Sequence, residues 1–349
     1  MEVLALPISG GSFPHQLAIM KILMGVDYRP TLILASSGGN IATYLTMASK
    51  WDLCGINRVV RSISSKLFVR SWLPNSLEWI PSWIPGIFMG SIYRPSQDAY
   101  SVFRSYFSPT DVKDIEVWVG AVNNKTGKLC LFGNRNEEQS VIKSRHYQSS
   151  LVNSEPLKYL NGDVDKICCA SIASSSVPVI TQCQVIDGNE YTDGGVKYAS
   201  PLTPLQGELS RIGDIMKGIH IVYVSGYNTR DNLTPQEMKP NIFTNGVSAT
   251  SHIAKGFVIH DRLTAYSLIA RYGSINHAVL DDKKIREIWD LRSQCSSSLV
   301  EICPESRDVL DFTDFEGQDV LDMMEESSTH INIQVWWVGN PDLFYSVKL

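Results

Sequence analysis

Ser37 stands where an apolar run, Thr31 to Ala35, gives way to residues at helical spacing, Ile41, Leu45 and Ala48. The segment Ala35-Ser36-Ser37-Gly38-Gly39 is a near-match to G-x-S-x-G, the strand–turn–helix elbow that lifts a serine hydroxyl above a sheet edge. Such a hydroxyl becomes a nucleophile only when a base takes its proton and N–H donors hold the oxyanion. Gly10-Gly11, ending an earlier apolar run, and Asp193-Gly194-Gly195, much later in the chain, are the pieces that could meet those needs. Together the three point to acyl transfer. Residues two before and two after the serine must be small so that strand and helix can approach. Gly39 meets that demand, and Ala35 adds one methyl group. The N–H of Gly38 is expected to face an incoming oxyanion, and Gly10 and Gly11 could offer further donors at a helix N-terminus. Asp187-Gly188 precedes Asp193 by six residues, and spacing leaves either aspartate open as the base.

The elements that must position these residues are legible in outline. Val3 to Ile8 is expected as a buried strand. Ser12 is expected to cap a helix with Pro14 in its first turn, Leu17, Met20 and Leu23 on its buried stripe, and Gly25 at its end. Thr31–Ala35 is a second strand and Ile41–Lys50 a second helix. Strand, helix, strand, helix favours parallel pairing in an α/β sheet, and a three-layer α/β/α domain with a central, mostly parallel sheet is expected. Further on, Ile115–Val122 and Lys128–Phe132 predict a hairpin, as do the residues flanking Asp187-Gly188. Asp163–Ser174 is expected as a helix, Ile219–Val224 and Ile331–Val338 as strands, and Ser248–Tyr272 as one long helix or two shorter ones. The acidic stretch 305–326 is expected as a solvated amphipathic helix.

Residues 70–93 differ in kind. They carry Trp72, Trp79 and Trp83 among three prolines, and from Trp79 to Tyr93 there is no charge. Two readings stand side by side: a buried irregular cap over the core, or a lid that meets a membrane surface, since tryptophan suits the boundary between hydrocarbon and water.

A net charge of −5 with no dominant basic block argues against nucleic acid as partner. The start, MEVLALPISGG, lacks the basic and continuous apolar regions of a secretory signal. Seven cysteines without a C-x-x-C pair are expected as reduced thiols of a cytoplasmic protein, with no metal site. Nucleotide binding is disfavoured by the absence of its glycine-rich signatures. Oligomeric state is left open.

The order of the pieces resembles the patatin-like phospholipases, acyl hydrolases with a Ser–Asp dyad and no catalytic histidine. Ser9-Gly10-Gly11-Ser12 stands at that family's glycine-rich oxyanion loop, Ala35–Gly39 at its G-x-S-x-G, and Tyr191-Thr192-Asp193-Gly194-Gly195-Val196 at its D-G-G/A segment. Ala173–Pro178 is similar to its A-S-x-A-x-P helix end. The resemblance covers residues 1–205 as a catalytic core, with 206–349 as a C-terminal part of the same domain, helical with late strands.

It implies Ser37 as nucleophile and Asp193 as base. Gly10, Gly11, Ser12 and Gly38 would form the oxyanion hole, with Ala35 and Gly39 supporting the elbow. A lipid substrate is implied, with transient membrane contact through Trp72, Trp79 and Trp83, and no cofactor or metal. Two departures lie in the first loop: Ser12 replaces a third glycine, and Pro14 replaces a basic residue. His15, beside Pro14, is expected as an exposed helix-start histidine, the alternative being a partial substitute for that basic residue. The rival readings are a Ser-Asp-His hydrolase using His220, His252, His260 or His277, and a catalytically silent relative that binds lipid or protein.

Overall fold

In a computed structural model, the described residues are 1–71, 91, 93–95, 101, 104, 115–149, 153–178, 180–227, 242–306, 308–310 and 314–348. Trp72, Trp79 and Trp83, and with them the cap-or-lid expectation, lie outside the described residues.

The first fifty residues form β1 (Glu2–Leu6), a 3₁₀ turn at Gly10–Ser12, α1 (Phe13–Gly25), β2 (Leu32–Ala35) and α2 (Gly38–Ala48). Next come α3 (Leu53–Arg61), the hairpin β3 (Glu116–Asn123) and β4 (Leu129–Gly133), then β5 (Lys158–Tyr159) and α4 (Val164–Ser174). The hairpin β6 (Gln184–Ile186) and β7 (Asn189–Asp193) turns at Asp187-Gly188, both at positive φ, as the two-residue hairpin turn requires. After α5 (Gln206–Met216) and β8 (His220–Val224), Ile242–Ala270 is one continuous helix, α6. The chain finishes with β9 (Ile275–Leu280), α7 (Ile285–Arg292), β10 (Ser297–Pro304), α8 (Gly317–Thr329) and β11 (Ile331–Val338).

These eleven strands make one sheet. At its centre β10, β8, β1, β2 and β3 run parallel. Antiparallel pairs flank that centre: β11 joins β10 and β9 on one side, and β4 joins β3 on the other. Alternation along the strands separates two cores. Leu4, Leu6, Ile33, Ala35, Val222 and Val224 pack under α1, α2, α4 and α7, while Val3, Ala5, Leu32, Leu34, Ile221 and Tyr223 pack under α5 and α6. Each fully buried leucine or isoleucine in these layers contributes about 1.5–3 kcal/mol, so burial on both faces fixes the strand registers. The result is a mixed sheet, parallel at its centre, between two helical layers. Strands from beyond residue 205 sit directly against β1. Among the described residues, no helix is long and apolar enough to cross a membrane.

The acidic stretch differs from expectation. Its helix starts only at Gly317, where Glu316 and Asp319 form a reciprocal capping box. Val320 and Met324 then join a cluster with residues of α1 and α3 such as Leu17 and Ile56, so one face is buried and only the acidic face is solvated.

Candidate active site

Strand pairing brings Ser37 and Asp193 together. One edge of β3 pairs first with β2, with Ala35 opposite Val119, and then with β7, with Asp193 opposite Ala121. The two partners therefore approach end to end along the same edge, at β3 positions about 7 Å apart. Gly120 lies between those positions, and a side chain on Gly194 would lie 2.1 Å from the Gly120 carbonyl. The glycine at 194 is thus required by close backbone approach.

Ser37 caps α2 with φ 54° and ψ −128°, a conformation that costs a non-glycine residue about 1–3 kcal/mol. Its surroundings hold it there. The Ser37 N–H donates to the Ser174 carbonyl at 3.1 Å, Ser175 Oγ donates to the Ser37 carbonyl at 3.1 Å, and Asn40 Nδ2 donates to the Ser171 carbonyl at 2.9 Å. A side chain on Gly39 would lie 2.2 Å from the Leu6 carbonyl, which explains the glycine two residues after the serine. Ala35 is fully buried among the residues under α2, where its methyl group is accommodated.

The hydroxyl of Ser37 donates to Asp193 Oδ2 at 2.6 Å, and the Gly195 N–H donates to Asp193 Oδ1 at 2.7 Å. Asp193 is buried, and burial pushes its carboxyl up to about 7 against the opposing pull of those two donors. Its backbone N–H donates to the Ser176 carbonyl at 2.9 Å. Ser174, Ser175 and Ser176 therefore clamp both members of the pair. Only the run of serines after a helix hinted at this in the sequence.

The two aspartates differ in place: only Asp193 lies against Ser37. Asp187 sits at the hairpin turn with its side chain 58% exposed and paired with Lys166 at 3.0 Å. The histidines of the triad reading lie elsewhere. His220 begins β8, opposite Glu2 and thus at the sheet end away from the elbow, with Nδ1 3.0 Å from Ser298 Oγ. His277 stacks on Trp336, and His260 lies within α6. The side chain of His252 lies outside the described residues. No histidine bonds to Ser37 or Asp193 among the described residues.

The glycine loop packs onto the elbow. A side chain on Gly38 would lie 2.4 Å from Ser9 Oγ and 2.7 Å from Gly10 N. Gly10 has φ +52°, which glycine adopts without strain. Gln16 ties this corner together, accepting from Ser9 Oγ at 2.6 Å and donating to the carbonyls of Pro7 and Val224 at 3.0 Å each. The Gly10 turn and the start of α2 thus lie in close backbone contact beside Ser37.

Three expectations for this loop are corrected. The Ser12 N–H donates to the Ser9 carbonyl at 2.9 Å, which removes it from the donor set, and the Ser12 side chain makes no capping bond. His15 is buried, not exposed. Its Nε2 donates to the Asp308 carbonyl at 2.8 Å and its Nδ1 meets Ser327 Oγ, because α8 packs across the start of α1; burial lowers its pKa. The Leu310 N–H then donates to the Gly11 carbonyl at 3.0 Å, and a side chain on Gly11 would lie 2.2 Å from the Leu310 carbonyl.

A strained serine bonded to a buried carboxyl thus lies against the glycine loop. The patatin-like phospholipase family model matches residues 16–205, a span that contains Ser37 and Asp193 and begins just after the glycine loop. A search of curated proteins finds no match. With more than half its length matched, the chain belongs to the patatin-like phospholipase family.

Proposed function

We propose that this chain hydrolyses fatty-acyl esters of lipids through an acyl-enzyme on Ser37, with Asp193 as general base. The observation that carries the reading is the 2.6 Å hydrogen bond from Ser37 Oγ to Asp193 Oδ2 at a strained elbow. Membership of a family of lipid acyl hydrolases supports it. Asp193 takes the Ser37 proton as Oγ bonds to the ester carbonyl carbon. The C–O bond to the alcohol breaks, and the proton passes to the leaving oxygen, releasing a lysolipid or alcohol. Water then gives a proton to Asp193 and attacks the acyl carbon. Ser37 leaves, recovers its proton, and the fatty acid departs. The N–H groups of Gly10, Gly11 and Gly38 hold the oxyanion in both steps.

Because burial raises the Asp193 carboxyl to about 7, the base is half protonated near neutrality. The reaction needs the ionised form, so kcat/KM rises with pH through about 7. A fluorophosphonate probe tests the nucleophile directly. Wild-type protein is labelled and Ser37→Ala is not; equal labelling of both removes Ser37 from the mechanism. Trp72, Trp79 and Trp83 supply the membrane contact in this reading, and Trp83→Ala is expected to weaken binding to phospholipid vesicles in a sedimentation assay.

A further inference from the structure

Tyr227 follows β8 directly and is delivered to the glycine loop by its two preceding residues. Ser225 Oγ accepts the Tyr227 N–H at 3.1 Å, and the Ser225 N–H donates to the Ile302 carbonyl at 3.0 Å. This tight turn is anchored to β10. Gly226 then permits contact with the loop, since a side chain there would lie 2.6 Å from Ser9 Cβ and 3.1 Å from the Ser12 carbonyl. The chain beyond β8 is thereby pressed against Ser9–Ser12, and the phenol of Tyr227 lands beside Gly10.

A methyl group built on Gly10 would lie 3.8 Å from Tyr227 Oη. That is van der Waals contact, so the space between Gly10 and the phenol holds about one heavy atom. Among the described residues nothing accepts the Tyr227 hydroxyl proton. The side chain is half-buried, and the aspartate whose charge it feels is Asp193. Burial and that charge both raise the phenol's pKa, which keeps it protonated, a donor, across neutral pH.

We propose that Tyr227 is a catalytic residue whose phenol O–H donates to the substrate's acyl oxygen beside Gly10, completing an oxyanion hole shared by the N-terminal loop and the segment after β8. The proposal rests on the Ser37 reading and extends it, because it places a donor from outside residues 16–205 at the same reacting oxygen. It also bears on Ser12, whose N–H is spent on the Ser9 carbonyl. A side-chain donor supplies what that backbone group does not.

The test is Tyr227→Phe, which keeps the ring and removes only the O–H. Steady-state hydrolysis of a soluble p-nitrophenyl acyl ester is measured alongside wild type and Ser37→Ala, with melting temperatures and pH profiles. The expected result is a fall in kcat of about 10²-fold, the usual cost of one oxyanion donor, with KM changed less than threefold and the melting temperature unmoved. The ascending pH limb near 7 should keep its midpoint. A Tyr227→Phe enzyme within twofold of wild-type kcat overturns the proposal, and the Ser–Asp reading stands if Ser37→Ala is inactive. A lowered kcat with the pH midpoint displaced by a unit also overturns it, because Tyr227 then acts through Asp193. Ser37→Ala turning over like wild type overturns the nucleophile itself. Should Tyr227→Phe melt early, Tyr227→Met, which preserves bulk without a donor, is measured in its place. Wild-type kcat in Tyr227→Met overturns the proposal, and the same loss of about 10²-fold supports it.

Discussion

Among the described residues two buried serine–aspartate pairs stand out, Ser37–Asp193 and Ser200–Asp261, alike in the pair itself and different in their surroundings. In each, the serine hydroxyl donates to an aspartate oxygen, and in each burial pushes the carboxyl up to about 7. Asp261 also accepts the Thr203 N–H at 3.2 Å and the Thr203 hydroxyl at 2.6 Å, and Ser200 Oγ accepts the Leu202 N–H at 3.2 Å. That serine oxygen accepts a backbone N–H as well as donating, and its aspartate holds the turn ahead of α5. Ser37 Oγ makes one bond among the described residues, and Ser37 sits at positive φ beside the glycine loop that packs on Gly38. A short bond to a basic carboxylate does not by itself make a nucleophile. In the mechanism proposed above, an unengaged oxygen and preorganised N–H donors are what the nucleophile also needs.

The comparison breaks first at the serines. Ser37→Ala is expected to lower kcat/KM by about 10⁴-fold or more, measured as ester hydrolysis, because the acyl-enzyme cannot form. Ser37→Ala activity close to that of Ser200→Ala would erase the distinction between the pairs.

Replacing the aspartates sharpens it. Asp193→Asn is expected to lower kcat by about 10³-fold. The sign of its stability effect follows from linkage. A carboxyl raised from 3.8 to about 7 in the folded state leaves stability intact below pH 4 and costs up to about 4 kcal/mol once pH exceeds 7. Thermal melts should therefore place Asp193→Asn more favourably relative to wild type at pH 8 than at pH 5.

Gly38→Ala comes next. Its methyl group would meet Gly10 N and O at 2.7 Å and Ser9 Oγ at 2.4 Å, displacing the glycine loop. An expected loss of about 10²-fold in kcat, with Ser37 still labelled slowly by fluorophosphonate, separates loop damage from loss of the nucleophile.

The smallest effects on turnover belong to the second pair. Asp261→Asn presents an amide to donors that need acceptors, which destabilises by about 1–3 kcal/mol on denaturant titration. Ser200→Ala is expected to leave kcat/KM within about twofold, since away from the reacting atoms only stability is at stake.

Much of this architecture is legible in the linear chain because it depends on local chemistry. Apolar runs such as Thr31–Ala35 and Ile331–Val338 are strands, Asp187-Gly188 turns a hairpin, and Ser37 stands out because strand, small residues and helix adjoin it. The burial of His15 was not legible, because it comes from α8, some three hundred residues along the chain. Nor was the clamp of Ser174–Ser176, whose acceptors and donors belong to the elbow and to β7.

By itself, the sequence determined which residues carry reactive groups and which segments are strands or helices, since both follow from side-chain type and short-range periodicity. Only the tertiary structure placed Asp193 rather than Asp187 against Ser37, engaged the Ser12 N–H, and brought Tyr227 beside Gly10. Those outcomes depend on strand pairing and on backbones in close contact between residues far apart in the chain, and spacing along the chain carries no record of either.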